Sequence, residues 1–239
     1  MMVCINRVSV GSLFYLSQKV SPRPESLIKQ YILHTFFVLQ TAVKEISGTK
    51  FFTMNEKKSL LMNDSSRTDK GKEAVFDQIL SWTLRRAQIA YSDDDAILYK
   101  YCRMILFRIL GINDYSDCDV FTHVGIEREW ENIDVIATVT LQRTDGSKEN
   151  HVILIENKVY APLGKNQLET YRPVFDKRFA NGNICHYVVI TCLEEPTEEM
   201  QASCDENGFR CIPILDLCPN DLRPDTESDI FNEFWLREW

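Results

Sequence analysis

The chain of 239 residues carries no excess of positive charge: 27 Lys and Arg stand against 35 Asp and Glu, a formal charge of −8. A general basic footprint for nucleic acid is therefore missing, although a local basic groove or an acid cluster neutralised by metal is compatible with that balance. Closely spaced cysteines are missing too. No two of the eight (Cys4, Cys102, Cys118, Cys185, Cys192, Cys204, Cys211 and Cys218) are separated by only two residues. That excludes the usual zinc and redox spacings. Cys185 and Cys192 lie in or beside an apolar run and read as small buried hydrophobes. The four histidines share no spacing and receive no ligand role. No secretory signal is evident, so a reducing cytoplasm is expected. The longest apolar stretch near the start, Tyr31 to Val43, is broken by His34 and Gln40 and is too short to span a bilayer. Glycine and proline are not in excess, which excludes a low-complexity chain. What is present, 44% hydrophobic and 26% charged residues, suits one substantial globular core.

Residues 1–53 differ from the rest, with a Pro-punctuated piece at Ser21-Pro22-Arg23-Pro24 and an apolar, helix-compatible stretch from Leu27 to Ile46. Two readings stand side by side: a helical extension, or translated sequence upstream of a start at Met54. The domain organisation is accordingly an N-terminal extension, 1–53, and one domain, 54–239. Asn63 to Lys72 reads as a polar linker.

Beyond it, Val75, Phe76, Ile79, Leu80, Thr83, Ala87 and Ala90 recur at helical spacing and predict a helix over Glu73–Tyr91. Ile97, Leu98, Tyr101, Cys102, Ile105, Leu106 and Ile109 predict a second over Asp95–Leu110, stopped by Gly111. The period then falls from about 3.6 to about 2. Strands are expected over Val120–Trp130, Ile133–Leu141 and His151–Val159, a helix over Lys165–Phe179 and a strand over His186–Thr191. A helix over Thr197–Glu206 and a strand over Phe209–Ile214 follow. The aromatic tail Asp229–Trp239, with Phe231, Phe234, Trp235 and Trp239 at helical spacing, is expected to pack on the core. The order predicts an α/β sandwich around a mixed sheet.

Chemistry concentrates in Val152-Ile153-Leu154-Ile155-Glu156-Asn157-Lys158-Val159. Four consecutive apolar residues indicate a strand buried on both faces. Alternation then puts Glu156 and Lys158 on the face of Val152 and Leu154. A carboxylate and an ammonium so placed are costly unless paired or bound to metal. In the preceding strand Asp134 shares its face with Ile136 and Thr138, so two neighbouring strands each deliver an acid. That suits Mg²⁺, which prefers one or two carboxylates, keeps several waters and accepts phosphate oxygens.

Asp134 followed by Glu156-Asn157-Lys158 resembles the Asp…Glu-x-Lys motif of the PD-(D/E)XK nuclease superfamily, and Gln167-Leu168-Glu169-Thr170-Tyr171 resembles its Gln-x-x-x-Tyr helix element. The phrases Ile126–Asp134 and Ile155–Tyr160 are similar to a bacterial and phage subgroup, and the likeness covers about Glu73 to Thr191. The resemblance implies a restriction-endonuclease-like core of order α-β-β-β-α-β and hydrolysis of phosphodiesters, endo- or exonucleolytic, with Mg²⁺ or Mn²⁺. Asp134, Glu156 and the Asn157 main-chain carbonyl would be metal ligands, and Lys158 would orient the attacking water. Gln167 and Tyr171 would support the site or contact substrate. A further carboxylate from the first core helix is implied; Glu73 and Asp77 both qualify, and Glu127 and Glu129 stay open. The implied partner is nucleic acid, with DNA the expected form and no membrane.

Plainer readings accompany each residue. Glu156 and Lys158 also fit a structural ion pair, Asp134 a turn cap after Glu131-Asn132, and Gln167 and Tyr171 ordinary helix packing. Lys165, Arg172, Lys177 and Arg178 fit a solvated helix face as well as a phosphate track. The alternative from another class is a catalytically inactive nuclease-like fold that binds nucleic acid or protein.

Overall fold

A computed structural model of the chain describes residues 59–62, 69–219 and 224–237. The expectations for residues 1–53, the start at Met54, residues 63–68 of the linker and Trp239 lie outside the described residues.

Two helices open the described domain, α1 (Asp69–Arg86) and α2 (Ala96–Leu110). α1 begins earlier than periodicity suggests, so Asp69–Lys72 are helix rather than linker. It also ends earlier: after Ala87 the chain turns so that Gln88 bridges Phe121, and Ile89–Tyr91 form a separate 3-10 turn. α2 starts where Asp95 accepts hydrogen bonds from the Ile97 and Leu98 amides at 3.0 and 2.9 Å. It stops at Gly111, whose φ of 74° lies in the left-handed region that glycine adopts without strain. Of the expected α2 stripe only Ile97 is not buried; it sits in the exposed first turn.

Five strands follow in spatial order β1 (Val120–Trp130), β2 (Ile133–Gln142), β3 (Lys148–Lys158), β4 (Ile184–Thr191) and β5 (Arg210–Pro213). β1, β2 and β3 pair antiparallel; β4 and β5 add on in parallel. The β1–β2 hairpin turns at Glu131 and Asn132, with φ of 51° and 65°, the positive pair a two-residue turn requires. Parallel neighbours need crossovers, and α3 (Gln167–Phe179) and α4 (Glu198–Asn207) supply them. A short helix α5 (Ile214–Leu217), unforeseen in the sequence, and α6 (Asp229–Trp235) close the described chain.

Helices cover both sheet faces. Val135, Ala137, Val139, Ile153, Ile155, Val188 and Ile190 pack with residues of α1, α2 and α6. Ile136, Val152, Leu154 and Val189 pack with residues of α3 and α4. Burial on both sides explains the unbroken Val152–Ile155 run. The tail packs on the core as expected: Phe231, Phe234 and Trp235 are buried, each worth about 1.5–3 kcal/mol. The Trp235 indole N–H donates to Thr83 Oγ1 at 2.9 Å. This is the mixed-sheet, restriction-endonuclease-like α/β architecture anticipated from the sequence.

Candidate metal-dependent active site

The centre forms where β3 runs out from between the two helical layers. β2 and β3 pair Val135 with Ile155 and Ile136 with Leu154; one more step of that register sets Asp134 opposite Glu156, on the face of Ile136, Val152 and Leu154. The face-sharing inferred from alternation holds. Glu156 and Asn157 are each 1% exposed, so their polar groups are answered by protein or by a ligand.

Glu156 Oε1 has two partners: Lys158 Nζ at 2.7 Å and Gln167 Nε2, which donates at 2.6 Å. Gln167 is the first residue of α3, and its amide is oriented from both ends. Its Oε1 accepts from the Gly164 amide at 2.9 Å, and its Nε2 also donates to the Tyr171 hydroxyl at 3.0 Å. Gln167 thus meets the motif strand, with Tyr171 one helical turn on holding its amide. Glu156 Oε2, by contrast, is buried and receives no N–H. On Asp134, Oδ2 accepts the Asn157 amide at 2.8 Å.

The electrostatics show acids crowded with too little opposing charge. Burial and then the Asp134 charge push Glu156 up to about 8, against the pull of Lys158 and Gln167. Burial also raises Asp134, against the Asn157 main-chain amide, the Lys158 charge and a side-chain hydrogen bond with Glu156. Lys158 sits above its ordinary value although burial works to lower it, because Glu156, Asp134 and Glu73 together outweigh burial. It is a cation at neutral pH.

Asn157 faces the opposite way, toward α1. Its Nδ2 donates to Asp77 Oδ1 at 2.5 Å, and its Oδ1 is buried without a partner. Burial, joined by the charges of Asp134 and Glu73, pushes Asp77 up to about 7 against this bond. Between the two helix carboxylates left open by the sequence, Asp77 is the one that grips the motif strand. Glu73 makes a long 3.4 Å contact with the Val159 amide. Glu127 lies apart, paired with Arg178 at 2.9 Å on the surface. Glu129, with a φ of 57°, lends its charge to the Asp134 environment. The Asp77–Asn157 contact was not read from the sequence; the signal was the strand alternation, which turns Asn157 to the α1 face.

Arg172 and Arg178 are not simply solvated: their guanidinium groups lie over Tyr187 at 4.5 Å and Trp130 at 4.7 Å. Both remain partly exposed.

Among the described residues no set of three His, Cys, Asp or Glu side chains is grouped as a metal site. A site built only from side chains is thus absent there, but Mg²⁺ does not require one: two carboxylates, a main-chain carbonyl and waters suffice. Asp134 and Glu156 fit that demand. They face each other, both are raised, and a buried Glu156 oxygen receives no N–H.

A family model described as the PD-(D/E)XK nuclease superfamily matches residues 37–218, about three quarters of the chain. The match begins within the first 53 residues and passes Thr191, wider than the stretch that carries the motif resemblance. Searches of curated proteins and of solved structures give no match.

Proposed function

The chain belongs to the PD-(D/E)XK nuclease superfamily, and on that premise we propose that it is a divalent-cation-dependent nuclease centred on Asp134, Glu156 and Lys158. The observation that carries this reading is a Glu156 Oε2 that receives no N–H, buried opposite Asp134 and beside a charged lysine. A structural ion pair alone would gain from a second donor on that oxygen and has no use for a second buried acid.

In this reading Asp134, Glu156 and the Asn157 carbonyl hold Mg²⁺ or Mn²⁺. The bound cation supplies positive charge that polarises the phosphodiester and acidifies a water. Lys158, held by Glu156, orients that water and offsets charge building up on the phosphate. Gln167 fixes the Glu156 carboxylate and Tyr171 fixes Gln167. The Asn157 amide fixes Asp134, and Asp77 fixes Asn157 from behind. The substrate is nucleic acid, DNA foremost, and the protein works without a membrane; among the described residues no helix is long and apolar enough to cross one.

The test is cleavage of a panel of single- and double-stranded DNA and RNA with Mg²⁺, Mn²⁺ or chelator. Cation-dependent cleavage is expected. Binding of the same substrates without cleavage under any cation condition identifies a binding module instead. The division at Met54 belongs to this reading: a chain beginning there is expected to cleave at the full chain's rate. An aggregated or inactive one shows that residues 37–53, which the family match includes, are integral to the domain.

A further inference from the structure

A cleft opens beside the acid centre, where β3 and β4 stop next to each other. Lys158 is in register with Thr191, and the Cys192 amide donates to the Lys158 carbonyl at 3.0 Å, so both chains leave the sheet at one point. The cleft measures about 560 Å³, within the range of small-ligand sites. The segment after β3 lines it with Tyr160 and Pro162, and the segment after β4 with Leu193, Glu198, Glu199 and Met200. Met200 is buried in the apolar cluster of Val152, Leu154 and Val189, the sheet face that Glu156 and Lys158 share.

Both sides of the cleft are tied to the strand ends. The segment after β3 returns to Gln167, whose Oε1 accepts the Gly164 amide at 2.9 Å while its Nε2 donates to Glu156 at 2.6 Å. On the other side the Leu193 amide donates to the buried Thr191 Oγ1 at 3.2 Å. A phosphate held at Glu156 and Lys158 therefore has this cleft as its neighbour. The chemistry of the lining says what fits there. Tyr160 is 44% exposed and supplies an aromatic ring, and Pro162, Leu193 and Met200 add apolar surface. The charged residues of the lining are both acids, which repel a phosphate and accept N–H groups. A nucleobase, with an apolar face and N–H groups at its edge, answers both features. Lys72 Nζ, 5.5 Å from the Tyr160 ring centroid, offers the adjoining phosphate a cation.

Resting on the nuclease reading above, we propose that the cleft holds one unstacked base beside the scissile phosphate, so that the substrate is a single strand or a frayed end. The base stacks on Tyr160 and turns its amino-bearing edge toward Glu198 and Glu199. A paired base has its edge occupied and its faces covered, so a duplex reaches the cleft only by unpairing. Cytosine presents an N4 amino donor where thymine presents the O4 acceptor. At equal ring size the two acids therefore favour cytosine.

The experiment follows the fluorescence anisotropy of short labelled oligonucleotides with the full chain: a single-stranded dC run, a dT run and a blunt duplex. Ca²⁺ is the cation, since its longer oxygen contacts polarise water less than those of Mg²⁺. The dC run should bind several-fold tighter than the dT run or the duplex. Tyr160→Ala should weaken dC binding about five- to a hundredfold, the usual worth of one stacked base, while Tyr160→Phe binds as the parent does. Glu198→Gln joined to Glu199→Gln should bring dT level with dC, because an amide both donates and accepts. Equal affinity for all three probes, no loss in Tyr160→Ala, or a double variant that leaves the gap between dC and dT open overturns the proposal. The readout is binding, so the two readings fail separately. A chain that shows these differences without ever cleaving keeps the base site and loses the nuclease; one that cleaves and shows none of them does the reverse.

Discussion

The two ends of β3 treat charge in opposite ways. At its start Glu149 and His151 are both answered. Arg143 Nε meets Glu149 Oε1 at 2.7 Å, Glu149 Oε2 meets His151 Nε2 at 3.1 Å, and His151 Nδ1 meets His186 Nε2 at 3.0 Å. With both imidazoles neutral, each donates one N–H along that line. Arg143 holds Glu149 below the usual carboxylate range. At the other end acid faces acid: Glu156 and Asp134 are raised, and Glu156 Oε2 receives no N–H. One strand thus carries a self-sufficient polar network and, some seven residues on, a group of acids short of positive charge. The first is built to be stable as it stands; the second is built for something that arrives.

The largest effect should come from removing the cation that site does contain. Lys158→Ala is expected to lower the cleavage rate by ~10²–10³, the usual loss for an electrostatic group acting at the transition state, with the fold retained by circular dichroism. Cleavage at the parent's rate would show that Lys158 serves only Glu156.

A smaller effect is expected behind the motif. Asp77→Ala leaves the buried Asn157 amide without its acceptor, which should lower stability by about 1–3 kcal/mol, read by urea unfolding of the metal-free chain. Asp77→Asn keeps an acceptor oxygen and should recover much of the loss. Equal losses in the two variants would mean that the hydrogen bond is not what holds Asn157.

The contrast also sets a pH profile with opposed limbs. Burial, then the neighbouring His151 and Arg210 charges, hold His186 down at about 4, and burial lowers His151. Unfolded histidine takes up its proton near 6.5, so this end contributes stability present above about 6.5 and lost as pH falls toward about 4. Glu156 is raised to about 8 from an unfolded value of 4.5. Its contribution is full below about 4.5 and lost as pH rises through about 8. The thermal midpoint of the metal-free chain should therefore fall on both sides of a maximum in mildly acidic buffer. Glu156→Gln should make the alkaline limb shallower, leaving the share of Asp77, raised to about 7, and of Asp134, and should spare the acid limb. An unchanged alkaline limb in that variant would break the comparison.

Much of this could be read in advance, for a physical reason. Apolar alternation reports which face of a strand a residue takes, so Asp134, Glu156 and Lys158 could be put on one face before any coordinates. Gln167 and Tyr171 followed from the resemblance to the Gln-x-x-x-Tyr helix element, helical spacing adding that they share one face. What alternation does not report is which distant helix covers that face. The Asp77–Asn157 bond spans 80 residues and depends on how α1 lies across the sheet. Arg103 was hidden for a similar reason. It looks like a surface residue of α2, yet it is 5% exposed, its guanidinium donating to the Asp119 carbonyl at 2.8–3.0 Å and to that of Ser116. Cooperative ends were also obscure: α1 reaches into polar Asp69–Lys72, where composition reads as linker.

The central claim is that the acids at the end of β3 are arranged for a divalent cation, and calorimetric titration with Mn²⁺ tests it without reference to any substrate. The parent should bind Mn²⁺ with proton release that grows as the buffer is made mildly acidic, because the cation must displace the proton held by Glu156. Asp134→Asn and Glu156→Gln should each lose most of that heat while remaining folded. A parent that binds no Mn²⁺, or variants that bind it as the parent does, would contradict the account.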